Sequence, residues 1–255
     1  MAVKLEKREA AQELFINWPE MLITSCLQGV MGDIYADQAE CPRSAMARLG
    51  DFCFLAGEPD PELVCFKPAE WKKNFTIMVP QHEGWWHLIR ECYGEKAKQV
   101  TRYAFLKEKD VFDRKRLMEA ADSLPPGYQM QLIDEALYER CLAEEWSRDL
   151  VAQYPEYQTY AKMGLGVAVL KGEELAAGAS SYASFWNGIE IEIDTKMKYR
   201  RQGLAFACGA RLILECLDRG WYPSWDAQNL WSVGLAKKLG YHYDHAYTAF
   251  EIWGY

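Results

Sequence analysis

Three acids and a basic turn lie close together in the second half of the chain. Glu190, Glu192 and Asp194 alternate with Ile189, Ile191 and Ile193, and Arg200-Arg201-Gln202-Gly203-Leu204-Ala205 follows shortly after. Side chains alternate across a strand, so the isoleucines share one face and the acids the other. A carboxylate on such a face either takes a proton from an attacking nucleophile or is simply a solvated acid. Lys196, Lys198, Arg200 and Arg201 place four cations within six residues of a chain whose formal net charge is −8, a local reversal of sign that suits a polyphosphate. Gly203 and Ala205 carry little or no side chain, so the backbone there can approach a ligand closely. A helix starting at Leu204 would aim its free N–H groups and positive dipole end at the same spot. Together these features describe a pyrophosphate cradle. A lone glycine in a basic turn equally describes a solvated loop, so the neighbouring elements decide its weight.

The helix is expected over residues 204–219, with Ala205, Cys208, Leu212, Ile213 and Cys216 as its buried stripe. Arg211, Glu215, Asp218 and Arg219 lie outward, and Gly220 supplies a left-handed C-cap. Next comes Trp225-Asp226-Ala227-Gln228-Asn229, with Ser232 on a new helix. Asp226 falls where a strand should end and splay from its neighbour. It either holds a cationic acceptor or caps the following helix.

Upstream, residues 5–15 read as an amphipathic helix, followed by short apolar runs at 32–36, 51–56, 62–66 and 75–79. A helix is expected over 83–93, a strand over 98–106, and a helix capped by Asp110 and running to about Ala121. Leu124-Pro125-Pro126-Gly127 is the strongest linker signal, because two prolines stop a helix and a glycine permits a turn. The boundary is accordingly placed between residues 1–125 and 126–255. In the second half, strands are expected at 128–133, 164–170, 174–184 and 189–195, with a helix over 136–151. The expected class is α/β (α+β), a mixed and largely antiparallel sheet flanked by helices. Residues 79–106 and 225–252 also share a strand–helix–strand pattern in which Trp85 and Gly94 are spaced like Trp231 and Gly240. It is either a degenerate internal repeat or a chance match.

Half of the 255 residues are hydrophobic, enough for a substantial core, while the net acidity disfavours nucleic acid and anionic membranes as partners and favours small cationic acceptors. No apolar run is long enough to span a bilayer, and the charged N-terminal residues do not resemble a signal peptide, so a cytoplasmic protein is expected. The eight cysteines have no zinc-type or thioredoxin-type spacing. They read as small buried hydrophobes, and no metal site is expected.

The order of strand, Arg-x-x-Gly-x-Ala turn, helix, strand, Asn229-x-x-Ser232 and Lys237-Lys238-Leu239-Gly240-Tyr241 resembles the GNAT superfamily of N-acetyltransferases over roughly the last half of the chain. With Gly50-Asp-Phe-Cys-Phe-Leu-Ala-Gly57 added, the whole chain is similar to the GNAT family typified by the zwittermicin A resistance acetyltransferase. The resemblance implies acetyl-CoA as co-substrate and a primary amine of a small molecule as acceptor. It implies that the backbone of Ile193, Asp194 and Thr195 holds the acyl group and pantetheine, and that Arg200 to Ala205 hold the pyrophosphate. Glu190 or Glu192 would act as base, and Asn229 and Ser232 would contact the pantetheine arm or its phosphates; Asn229 is equally placed to cap its helix. One position departs from the family pattern, because the tyrosine often found seven residues after this Asn, where it protonates the departing thiolate, is Ala236 here. Ser232 or a nearby tyrosine would then serve, or the thiolate leaves without a donor. The N-terminal lobe is expected to shape the acceptor cleft or to form a homodimer contact. The reading from another class is a non-catalytic acyl-CoA-binding sensor or scaffold.

Overall fold

Short apolar strands broken by Gly, Pro and Asp build the first of two units in the computed structural model, which describes residues 2–69 and 71–255. The units are Met1–Arg102 with Ala246–Tyr255, and Tyr103–His245.

The first unit contains β1 (Val3–Lys4), a 3-10 helix (Arg8–Phe15), α1 (Met21–Gln28), β2 (Asp33–Ala36), β3 (Ser44–Leu49), β4 (Phe52–Gly57), α2 (Pro61–Val64), β5 (Phe75–Pro80) and α3 (Glu83–Tyr93). Strand β6 (Ala97–Phe105) starts here and ends in the second unit. Strands β1 to β4 pair antiparallel in succession and β4 pairs parallel with β5. Met46, Cys53, Leu55, Met78, Trp85 and Ile89 lie in the core of this unit.

The second unit continues with α4 (Arg114–Ala121), β7 (Tyr128–Leu132), α5 (Glu135–Ala143), α6 (Tyr157–Met163), β8 (Gly166–Lys171), β9 (Glu174–Phe185), β10 (Gly188–Thr195), α7 (Leu204–Asp218), β11 (Tyr222–Ser224), β12 (Asp226–Ala227) and α8 (Leu230–Leu239). Strand β13 (Tyr243–Trp253) then runs back into the first unit. A five-stranded sheet has the order β11-β10-β9-β8-β7, with only β10 and β11 parallel. Helix α7 packs across β8, β9 and β10. Its Leu204, Cys208, Leu212 and Ile213 meet Val167, Val169, Ile189 and Ile191 in one core.

Several elements differ from the sequence expectation for local reasons. Asp113, not Asp110, caps α4, its carboxylate accepting from Lys115 N and Arg116 N. The helix expected over 136–151 stops at Ala143, where Glu144 turns extended and Ser147 Oγ donates to Cys141 O. The first helix is 3-10 and begins only at Arg8. Within 62–66 the structure has the short α2, because Asp60 caps it and Pro61 starts it. Helices α1 and α6 and strand β3 lie outside the elements expected from the sequence. The Leu124–Gly127 segment lies inside the second unit, between α4 and β7. Of the cysteines, Cys41 and Cys65 are exposed, against the buried role expected for them.

Gly57 ends the motif that begins at Gly50. Its φ is +81°, and a Cβ there would lie 2.1 Å from Arg43 O, so both backbone conformation and space demand glycine. Gly172→Ala, at φ +61° with open space around it, is expected to cost only about 1 kcal/mol. Gly57→Ala should cost more than about 2 kcal/mol, read as the larger shift of the urea midpoint.

Candidate active site

Strand β10 loses one of its two partners half way along. It pairs with β11 at Gly188↔Tyr222, Ile189↔Pro223 and Glu190↔Ser224, and beyond Glu190 its register continues with β9 alone. The chain after Ser224 passes through the buried Trp225 and pairs as β12 with β6, Asp226 opposite Ala104 and Ala227 opposite Tyr103. Neighbouring strands therefore part at Glu190, and the edge of β10 from Ile191 to Thr195 has no strand partner on that side among the described residues. A register shift in the β9–β10 pairing, with Tyr182 as the extra residue, falls at the same point. Bulges of this kind bend a strand and interrupt its ladder.

Strand β10 keeps the expected alternation. Ile189 and Ile191 are buried against α7. Glu190 is buried on the other face, while Glu192 and Asp194 are half-buried. Glu192 stands opposite Ser180, and Asp194 opposite Gly178, whose missing side chain leaves room for Leu150. Asp194 is a structural member of the turn as well: its Oδ1 accepts from Thr195 N at 2.6 Å and lies 3.6 Å from an Arg200 nitrogen. Burial pushes its carboxyl above the usual value, against the pull of that amide and Arg200.

The turn after β10 is held largely by the cations that sequence reading placed on phosphate. Lys196 Nζ meets Glu144 at 2.6 Å and Glu174 at 3.0 Å, and Lys198 Nζ meets Glu174 at 2.7 Å. Tyr199 OH donates to the same Glu174 carboxylate at 2.6 Å. Arg200 Nε donates to Thr195 O at 3.1 Å, closing the turn on itself. Tyr128 OH donates to Gln202 Oε1 at 2.7 Å. Of the four cations only Arg201 is outside this set; its guanidinium lies 5.0 Å from the Trp231 ring centroid. Arg201 and Gly203 both have positive φ, +65° and +83°. Alternation of this kind turns successive N–H groups into a concavity for anions. Helix α7 starts there without a side-chain cap, unlike α2, α3, α4, α5 and α8. Its first-turn N–H groups have no intrahelical acceptor. A Cβ on Gly203 would meet nothing within 4 Å, so the concavity is open. Ala205 is half-buried rather than part of the buried stripe. The C-terminal end of α7 is as expected, with Gly220 at φ +67° and Trp221 N donating to Cys216 O.

Asn229 caps α8, its Oδ1 accepting from Ser232 N at 3.0 Å. Ser232 Oγ accepts from Trp225 Nε1 at 3.1 Å, which leaves the hydroxyl proton for another acceptor. Ala236 is fully buried, so the position of the expected tyrosine is core. Tyr241 is buried as well, its OH donating to Pro223 O at 2.7 Å. Sequence reasoning missed Lys107, whose Nζ donates to Ser224 Oγ at 3.0 Å where β11 leaves β10. Nothing in the local sequence pattern marked it. Of the nearby tryptophans, Trp225 is core, Trp146 donates to Glu144, Trp221 packs on the core, and Trp186 and Trp231 are exposed. Among the described residues, no group of three or more His, Cys, Asp or Glu is placed to hold a metal ion, and no helix is long and apolar enough to cross a membrane.

A parted pair of parallel strands beside a glycine turn and an uncapped helix defines the class. The model of the GNAT acetyltransferase family matches residues 12–250, and the chain belongs to that family. A GCN5-related N-acetyltransferase-like protein from Streptococcus suis 89/1591 has a solved structure that is 49% identical, with a TM-score of 0.90 over 97% of this chain and 98% of that one. The uncharacterized N-acetyltransferase YdfB of Bacillus subtilis (strain 168) is 28% identical over 237 residues, 88% of this chain and 86% of its own. A tandem GNAT protein from the clavulanic acid biosynthesis pathway, at 9% identity, a TM-score of 0.54 and coverage of 100% of this chain and 98% of that one, shares the fold. The chain is thus an acetyltransferase of the GNAT type.

Glu174 is the anchor of the turn, and its carboxyl is held down from 4.5 to about 2 by hydrogen bonds from Lys198, Tyr199 and Lys196. A group whose folded pKa is depressed stabilises fully above its unfolded value and loses that effect as pH falls through the folded one. Glu174→Gln should therefore lower Tm at pH 7, and the gap to the unaltered chain should close as pH falls from about 4.5 toward 2. Thermal melts across that range read it directly.

Proposed function

We propose that this chain moves an acetyl group from acetyl-CoA to a primary amine of a small molecule by direct attack within a ternary complex. The observation that carries the reading is the parting of β10 and β11 at Glu190, directly upstream of the open Arg201–Gly203 concavity. Residues 201–205 would hold the pyrophosphate through the concavity and the first turn of α7. The bare edge of Ile193 to Thr195 would receive the pantetheine arm, and Asn229 would add polar contact only through groups its cap leaves over. A thioester carbonyl polarised by strand N–H groups gains most as negative charge develops on it, because those donors are already oriented.

The chain's own groups complete the transfer. Glu192, half-buried on the unpartnered stretch of β10, takes the proton from the ammonium or the attacking amine, and the more deeply buried Glu190 acts through water. The C–N bond forms as the C–S bond breaks. Ser232, oriented by Trp225, gives its proton to the leaving thiolate and is reprotonated from water. Asp226 on β12 would hold a second positive charge of the acceptor, consistent with an aminopolyol of the kind the zwittermicin A resistance family implies. The burial of Ala236 favours a second reading, acyl-CoA binding without turnover, because the usual acid has no room at that position.

Isothermal titration and a thiol-release assay over a panel of small amines separate the two. Micromolar binding of acetyl-CoA, weakened about 100-fold by Gly203→Glu, supports the cofactor site. Amine-dependent CoA release lowered about 100-fold by Glu192→Gln, and less by Glu190→Gln, supports catalysis. Binding without release under any acceptor supports the second reading, and absence of binding overturns both.

A further inference from the structure

Two cysteines far apart in the sequence meet at the ends of α2 and α3. Asp60 caps α2 and Pro61 starts it, and the helix is so short that its C-cap falls on Cys65. In α3, Trp85 and Ile89 are buried in one core with Leu63 and Val64, and Cys92 follows on the same side of the helix in its last turn. Tyr93 ties the two helix ends together, its OH donating to Val64 O at 2.9 Å. Cys65 directly follows Val64 and Cys92 directly precedes Tyr93, and the two thiols are hydrogen-bonded to each other. Cys65 is exposed, and Cys92 is half-buried. The other cysteines of this unit are placed differently. Buried Cys53 accepts from Arg48 at 2.9 Å, buried Cys26 donates to Arg48 O at 3.4 Å, and Cys41 is exposed.

Sulfurs already in hydrogen-bond contact need only side-chain rotation to close to a bond of about 2.05 Å. We propose that Cys65 and Cys92 form a redox site at which a hydroperoxide converts the pair to an intramolecular disulfide. Cys65, the accessible thiol, attacks hydrogen peroxide as its thiolate; the O–O bond breaks, hydroxide leaves and Cys65 becomes a sulfenic acid. The Cys92 sulfur then attacks Cys65 Sγ, and its proton leaves with the displaced hydroxide as water. Two thiols are thereby oxidised to one disulfide while one peroxide is reduced to two waters. The order of events follows from the surroundings. Burial first, then the hydrogen bond with Cys65 and the charge of Glu91, push the Cys92 thiol up to about 11, so it stays protonated until Cys65 has reacted. The bond staples the end of α2 to the end of α3 and closes a loop that contains β5, which constrains the unfolded chain. This site is independent of the acetyl-transfer reading.

Treatment of the full chain with hydrogen peroxide, then alkylation of the remaining thiols and peptide mapping without reductant, tests it. A linked peptide pair joining Cys65 to Cys92 should form, revert with dithiothreitol, and raise Tm by several degrees over the reduced chain. Cys92→Ser should leave Cys65 as a sulfenic acid that dimedone traps, and Cys65→Ser should leave Cys92 open to alkylation after peroxide. Should either variant fail to fold, the unaltered chain still decides. Its Cys65 and Cys92 should lose alkylation together and to the same extent, while the exposed Cys41 enters no link within the chain. Disulfide-linked dimers through Cys65 or Cys41, or a link from Cys65 to any other cysteine, overturn the proposal. So does conversion of Cys65 to the sulfinic acid while Cys92 is still alkylated.

Discussion

The parting of two parallel strands is the constraint on which the rest of this site depends. Strand β11 is only three residues long, and Glu190↔Ser224 is its last pair with β10. What makes the chain leave is the alternative on offer. Trp225 is buried with Tyr241, ring centroids 5.3 Å apart, and Ala227 is buried opposite Tyr103. An indole and a ladder pair on β6 thus draw residues 225–227 away from β10. Lys107 secures the departure point by donating to both Ser224 Oγ and Trp225 O. The result is a strand edge with polar backbone groups that a ligand can complete, which a fully paired sheet would not offer.

The turn that follows works by separating two uses of positive charge. Lys196 and Lys198 are consumed by Glu144 and Glu174, and this pairing raises both ammonium pKa values above their ordinary range, with the hydrogen bonds they donate to those carboxylates the largest cause. These pairs fix geometry. Arg201 lies outside the internal pairs, and in the proposed reading anion attraction falls to it and to oriented backbone N–H groups. Such a division is physically reasonable. A lysine on a flexible stem offers charge without direction, whereas amides at a left-handed turn and a helix start are already aimed.

This distinction also marks how much of the site was legible in the sequence. Period-two alternation located Ile189 to Thr195, and the small-residue helix with Gly220 located α7 almost to the residue, because both depend on side chains a few positions apart. The pairing of Lys196 and Lys198 was not legible because their partners lie up to 52 residues away, on β9 and just after α5. Lys107 escaped for the same reason, 117 residues from Ser224. Asn229 illustrates the intermediate case: a polar residue before an apolar run signals a cap from sequence alone, and the cap consumes one of the groups that family likeness assigns to a ligand.

The two units repeat one order of strand pairing, three antiparallel steps and then a parallel one, through β1 to β5 and again through β7 to β11. The candidate site lies in the second, and the two units differ locally in two respects. The link between the parallel strands is the four-residue α2 in the first unit and the fifteen-residue α7 in the second, so the first has no long helix to aim at an anion. The end of β4 is also sealed. Gln81 N donates to Leu55 O, Gly57 N donates to Gln81 Oε1, and both His82 and Trp85 reach Gly57 O, at 2.9 and 3.0 Å. Trp85 is thereby fully buried, whereas its counterpart in spacing, Trp231, remains on the surface beside Arg201. Equal spacing in the sequence therefore gave a buried structural residue in one unit and an exposed aromatic beside Arg201 in the other; what distinguishes them is whether the neighbouring strand end needs to be closed.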